Sequence, residues 1–278
     1  MAQTLRFLFI GDVIGQPGMA VFQRWIPKLK EKYRIDAVIV NGENAAKNGK
    51  GITPKIIDFF KQNGASVITT GNHVWEHKEV YTALSERDDV IRPANYSSGN
   101  PGKGYTFFTI QGHTVAVMNL FGRVFVRDPL DCPFRTAESL LTFIRTRTNI
   151  IFVDFHAEAT SEKKAMGFYL DGKVSGVYGT HTHIQTADDH ILPNGTSYIT
   201  DLGGSGALYS VIGMQKEQVL QKFLLNPFMG KFVVETKGPI VLCGVWVEVD
   251  TKTGASISIE RVYVVDDTIN SSETALPQ

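Results

Sequence analysis

The chain has 278 residues, 43% hydrophobic and 20% charged, with 28 Lys+Arg against 28 Asp+Glu. That length supports a substantial core as one large domain or two small ones, and zero net charge removes the global basic field that grips long nucleic acid or an anionic membrane. Cys132 and Cys243 lie far apart outside any CxxC pair, no apolar run approaches the ~20 residues of a membrane span, and residues 5–10 are too short for a signal peptide. A cytoplasmic protein without disulfides or membrane contact is expected.

In chain order, residues 5–10 read as a strand. Residues 15 to about 33 read as a helix, with Val21, Phe22, Trp25, Ile26 and Leu29 at helical spacing. Residues 37–40 form a second strand. Thr53-Pro54 is a helix start, a capping hydroxyl followed by proline, and that helix ends near Asn63-Gly64 before a third strand at 66–70. Such alternation with short connections implies a parallel sheet. Residues 105–110 and 114–120 look like a hairpin around Gln111-Gly112. A helix at 136–147 leads into a strand at 150–155, then a helix at 160–170 and a strand at 174–178. Strand-like runs follow at 197–201, 231–235, 240–249 and 256–265, the last two joined by Lys252-Thr253-Gly254. A helix at 215–225 precedes Pro227, and residues 267–278 are polar and expected to fray. No repeat or linker interrupts the chain. One domain over 1–278 is expected, with two packed sheets and helices outside.

Five polar clusters each follow a strand-like run: Gly11-Asp12, Asn41-Gly42-Glu43-Asn44, Gly71-Asn72-His73, Asp154-Phe155-His156 and Gly179-Thr180-His181-Thr182-His183. Taken singly, each has an ordinary explanation as a turn, a cap or a satisfied core histidine. Together they put carboxylate, amide and imidazole donors at the carboxyl ends of successive strands, where α/β folds converge their chemistry. His-x-His adds two donors within reach of neighbouring metals. His77, expected on a helix, His113 in a hairpin turn and His190 beside Pro193-Asn194-Gly195 read as surface residues. Asp188-Asp189 is a lesser candidate for supporting a ligating histidine.

These strings, with His156-Ala157-Glu158-Ala159-Thr160-Ser161-Glu162-Lys163 and the run from His181 to Asp188, resemble the YmdB-like bacterial phosphodiesterases of the calcineurin-like metallophosphoesterase superfamily over nearly the whole chain. The resemblance implies an α/β fold, a four-layer α/β/β/α sandwich of two mixed sheets. It further implies that Asp12, Glu43, Asn44 and His183 hold one metal. Glu43 would bridge to a second metal completed by Asn72, His156 and His181, with His73 as proton donor. Two departures from the wider superfamily stand out. Ile14 occupies the place of the histidine in Asp-x-His, and Glu43 replaces the bridging aspartate, with Asn44 substituting for the lost imidazole. Both agree with the YmdB-like subgroup.

Two anionic ligands among five neutral ones leave a pair of divalent ions with residual positive charge, suited to a phosphate ester. Two metals ~3.5–4 Å apart activate water and clamp a phosphoryl oxygen, and a histidine supplies the leaving-group proton. A thiolate-free donor set suits iron or manganese, and the resemblance favours iron. It also implies hydrolysis of 2′,3′-cyclic nucleotides, with 3′,5′-cyclic nucleotides as a second class. The loop from Phe121 to Arg127 offers aromatics and guanidinium groups for a base and a phosphate, against the alternative of an ordinary surface loop. A homo-oligomer is compatible with the sequence. The competing readings are an amidohydrolase-type metal hydrolase, disfavoured because His-x-His comes late, and a metal-binding regulatory protein acting through partners, disfavoured by an intact His73.

Overall fold

A computed structural model describes residues 3–225, 230–269 and 277. The chain enters through β1 (Thr4–Ile10), the two-residue β2 (Asp12–Val13), α1 (Gly15–Tyr33), β3 (Ala37–Asn41), α2 (Pro54–Gln62), β4 (Val67–Thr69) and α3 (Val80–Glu86). It continues through β5 (Tyr105–Ile110), β6 (His113–Phe121), α4 (Pro133–Ile144), β7 (Ile150–His156), α5 (Thr160–Leu170), β8 (Gly176–Thr180), β9 (His190–Ile191) and β10 (Ser197–Ile199). Then come β11 (Gly204–Ala207), α6 (Lys216–Leu224) and the closing hairpin of β12 (Ile240–Asp250) and β13 (Ser256–Asp266).

Local chemistry sets several boundaries. Thr53 Oγ1 accepts from Ile56 N and Pro54 opens α2, as expected of that pair. Helix α4 starts three residues before the expected 136, because Pro133 supplies a first helical position with no amide to satisfy. Residues 231–235 do not form the expected strand. Val234 makes one bridge to Met214, flanked by Gln215 N to Val233 O and Glu235 N to Gly213 O, each 2.9 Å. His77 precedes α3, its carbonyl accepting from Val80 N, and His113 opens β6 opposite Ile110 rather than sitting in the turn. The expected fraying falls mostly on 270–276 and 278, which lie outside the described residues, as does Pro227.

One sheet runs β2-β11-β12-β1-β3-β4, with β13 on the other side of β12; the second runs β5-β6-β7-β8-β10-β9. Parallel pairs β1–β3–β4 and β6–β7–β8 aim their carboxyl ends at one edge. The layers meet through Phe7, Phe9, Ile39 and Val247 of one sheet and Val117, Phe152, Tyr178 and Ile199 of the other. Phe152 lies 4.7 Å from the Phe7 ring and 4.8 Å from Phe9. Helices α1, α2 and α3 cover the outer face of the first sheet, and α4 and α5 that of the second. The architecture is therefore the expected α/β/β/α sandwich. Two stacked sheets are not the closed parallel barrel that an amidohydrolase-type reading requires. Among the described residues, no helix is long and apolar enough to cross a membrane.

Phe152 carries much of the contact between the layers, so Phe152→Ala should cost about 3–5 kcal/mol of stability. Urea unfolding followed by circular dichroism checks this; a loss under about 1 kcal/mol would mean the sheets are held elsewhere.

Candidate metal centre

Every cluster found in the sequence ends at the same edge. Asp12 lies on β2, Glu43 and Asn44 just past β3, and Asn72 and His73 past β4. His156 closes β7, and His181 and His183 follow β8. Gly71 is required there, since an added Cβ would collide with the His156 ring.

His156 Nε2 is the focus. It lies 2.9 Å from Glu43 Oε1, 3.0 Å from Asn72 Oδ1 and 3.0 Å from His181 Nδ1. One ring nitrogen carries at most one hydrogen, so it cannot satisfy three such neighbours. Glu43, His156 and His181 form a group whose ligand atoms lie within 4.8 Å of one another. Glu43 Oε2 is turned by the His73 amide, 3.0 Å away.

A second set adjoins the first. Asp12 Oδ2 accepts from His181 N at 3.1 Å, while Oδ1 is 3.9 Å from His183 Nε2 and 3.8 Å from His156 Nδ1. Asn44 Nδ2 donates to Gly49 O at 2.9 Å, and His183 Nδ1 lies 3.1 Å from Ile212 O. Asp12 Oδ1 and Asn44 Oδ1 are buried oxygens with no hydrogen-bond partner. Each such orphan costs about 1–3 kcal/mol, and cations would satisfy both. Oxygen and imidazole donors without thiolate fit borderline to hard divalent ions.

The electrostatics point the same way. Burial pushes the Asp12 carboxyl up to about 6, although His183 and His156 pull it down. Burial would also raise Glu43, but His156 and the neighbouring His73 bring it down to about 2. Burial would lower His156, yet Glu43, Asp12 and Asp154 together raise it to about 9. His181, buried and beside His156, falls to about 3. Burial also lowers His73, with Glu43 opposing. A proton on His156 thus meets a demand for positive charge at the centre.

Behind the candidate ligand atoms stands Asp154, a residue visible in Asp-Phe-His but with no role that the sequence alone assigns. Its Oδ1 accepts from Thr180 Oγ1 at 2.6 Å, and its Oδ2 from Asn41 Nδ2 at 3.0 Å and from Thr69 Oγ1. Thr180 has spent its hydroxyl hydrogen on Asp154, so it accepts from His156 Nδ1 at 2.9 Å. That fixes Nδ1 as the nitrogen that keeps its hydrogen and leaves Nε2, facing Glu43 and Asn72, as the one that carries the extra proton or would take a cation in its place. Alternation along β7 was the available signal, since residues 154 and 156 share a face. Asp188-Asp189 does not support a site histidine. Asp188 bonds Thr186 and Thr200, and Asp189 pairs with Arg261. His77, His113 and His190 are half-buried and outside the cluster.

The loop after β6 adjoins the centre. Phe121 lies 5.6 Å from the His156 ring and 6.3 Å from His181. Glu162 anchors the loop by accepting from Arg123 N and Val124 N at 3.0–3.1 Å. A recess of about 390 Å³ is lined by Asn72, His181, Phe125, Arg127, Asp128 and Glu158 among others, and Phe125 is 86% exposed. A larger groove, about 760 Å³ along α1 and β13, shares only His183 with the cluster.

The chain is similar to known proteins over nearly its whole length. The profile of the family described as "YmdB-like protein" matches residues 8–262. A "2′,3′-cyclic-nucleotide 2′-phosphodiesterase" from Bacillus subtilis (strain 168) is 47% identical over 263 residues, 95% of this chain and 98% of that protein. The crystal structure of a novel phosphatase from Mycoplasma pneumoniae superposes with TM-score 0.89 at 36% identity, covering 99% of this chain and 98% of that one. A hypothetical protein from Thermus thermophilus gives TM-score 0.86 at 39% identity, covering 94% of this chain and 100% of that one. With its two-sheet metallophosphoesterase sandwich and a family match spanning all five clusters, the chain belongs to the YmdB-like family.

Proposed function

We propose that this phosphodiesterase opens 2′,3′-cyclic nucleotides at the P–O2′ bond, leaving a 3′-phosphate. The observation that carries the hydrolytic reading is the convergence on His156 Nε2 beside two orphaned oxygens, Asp12 Oδ1 and Asn44 Oδ1. The substrate class rests on the 47% identical relative and on a recess sized for a small ligand.

Asp12, Glu43, Asn44 and His183 would hold one cation and Glu43, Asn72, His156 and His181 the other, iron being favoured and manganese the alternative. Bound there, two divalent ions supply an activated water and neutralise phosphoryl oxygens. The protein's own groups do the rest. Thr180 and Asp154 hold His156 with Nε2 directed inward. The His73 imidazole would give its proton to O2′ as the P–O2′ bond breaks, a role typically worth ~10²–10⁴-fold. Phe125 would stack on the base and Arg127 pair with a phosphate oxygen.

Purified protein loaded with Mn²⁺ or Fe²⁺ should convert 2′,3′-cyclic AMP to 3′-AMP and lose the activity on chelation; 3′,5′-cyclic AMP run alongside defines the range. Two metals per chain are expected by mass spectrometry. Asp12→Ala and His183→Ala should deplete one, His156→Ala and His181→Ala the other, and Glu43→Ala both. A single metal in the parent protein, or 2′-AMP as product, would overturn the assignment.

His73→Ala should retain both metals yet slow hydrolysis of a cyclic nucleotide by ~10²–10⁴-fold. Bis-p-nitrophenyl phosphate, whose leaving group needs little protonation, should lose much less. Equal losses on both substrates would rule out a general acid.

Stacking contributes about 1–3 kcal/mol per base. Phe125→Ala should therefore raise KM for the nucleotide roughly tenfold with kcat little changed, and an unaltered KM would show that the base binds elsewhere.

A further inference from the structure

A lysine wholly withdrawn from water is rare, and Lys163, on α5, keeps 1% of its surface. Its stem passes Gly179, where an added Cβ would stand 3.0 Å from Lys163 Cδ and collide with the Thr200 carbonyl. The ammonium ends 2.6 Å from Asp201 Oδ2, and Asp201 is equally buried. Asp201 has further donors. Oδ2 accepts from Thr182 N at 3.1 Å and Thr182 Oγ1 at 2.8 Å, and Oδ1 accepts from Gly203 N at 2.8 Å. Thr182 is the residue between the two site histidines. His181 has φ +98° and His183 φ +63°, a region that residues other than glycine seldom enter. Next to the Gly203 turn, Gly204 N donates to His183 O at 3.0 Å.

We infer that Lys163 and Asp201 are positioning residues: the buried pair grips Thr182 and keeps the His181-Thr182-His183 loop in a strained conformation that presents both imidazoles to the metal centre. The inference rests on the reading of His181 and His183 as ligands. A buried ion pair is a poor source of stability, since desolvation offsets most of the attraction. What it supplies here is geometry. A carboxylate paired with Lys163 makes charge-assisted hydrogen bonds, stronger than neutral ones, to both donors of Thr182. Strained backbone persists only where its surroundings over-determine it, and a two-point grip on the central residue does so. Without it, the loop would relax and the two imidazoles would lose their common aim.

The test titrates Mn²⁺ into metal-free full-length protein, reading free Mn²⁺ by electron paramagnetic resonance, with the melting temperature of each metal-free variant recorded alongside. Thr182→Val removes the hydroxyl donor at nearly constant shape, and Lys163→Met removes the counter-charge. Both should bind Mn²⁺ roughly 10–100-fold more weakly, the usual effect of losing a partner that orients a ligand. Thr182→Ser, which keeps the hydroxyl, should stay close to the parent. Unchanged Mn²⁺ affinity in folded Thr182→Val, whatever its melting temperature, would overturn the positioning role, and this variant decides alone if Lys163→Met fails to fold. A parent protein that takes up no Mn²⁺ would instead remove the ligand reading, and the positioning role with it.

Discussion

The buried carboxylate of Asp154 is the constraint on which the centre depends. It receives Asn41 from β3, Thr69 from the end of β4 and Thr180 from the end of β8, while belonging to β7 itself. Two of those strands lie in one sheet and two in the other, so the carboxylate ties the layers together at the edge where the candidate ligands emerge. A charge taken out of water costs several kcal/mol unless it is fully hydrogen-bonded, and strand ends out of level could not supply these donors. Asn119 adds a parallel tie, its Oδ1 accepting from Thr70 N and its Nδ2 donating to the Asp154 carbonyl. The relative height of the strands, and hence of Glu43, Asn72, His156 and His181, follows from satisfying these buried groups.

Much of this was legible in the chain. Apolar runs ending in Gly-Asp, Gly-Glu-Asn, Gly-Asn-His and His-Thr-His combine a strand signal with donor chemistry, and both survive without knowledge of tertiary contacts. Caps such as Thr53-Pro54 are equally local. What escaped depends on partners far along the chain. Asp154 meets Asn41 across 113 residues, and Lys163 meets Asp201 across 38. Nothing local separates Asp201 from Asp188, yet one grips Thr182 and the other bonds Thr186 and Thr200. The run 231–235 has strand-like residues, but only Val234 reaches a bridging partner. Propensity is a weak guide where tertiary pairing decides.

The centre departs from the rules that govern the rest of the molecule. The interior between the sheets is apolar, with aromatic rings in direct contact, whereas the edge holds two orphaned oxygens, two imidazoles in contact and two histidines at positive φ. Each departure lowers the stability of the metal-free chain, and natural sequences keep such departures where function needs them. Their concentration at one edge of the sheets marks the site as strongly as the residue types do.

The proposed ligand set is also divided between the two layers. Asp12, Glu43, Asn44 and Asn72 follow strands of the first sheet, and His156, His181 and His183 come from the second. An ion held by members of both would be a cross-link at one end of the sandwich, and its binding energy would add to that of folding. In a metal-starved chain the Asp12 and Asn44 oxygens at that end stay buried without a partner. Supply of the ion would then govern how long each copy of the protein survives proteolysis, as well as how fast it turns over.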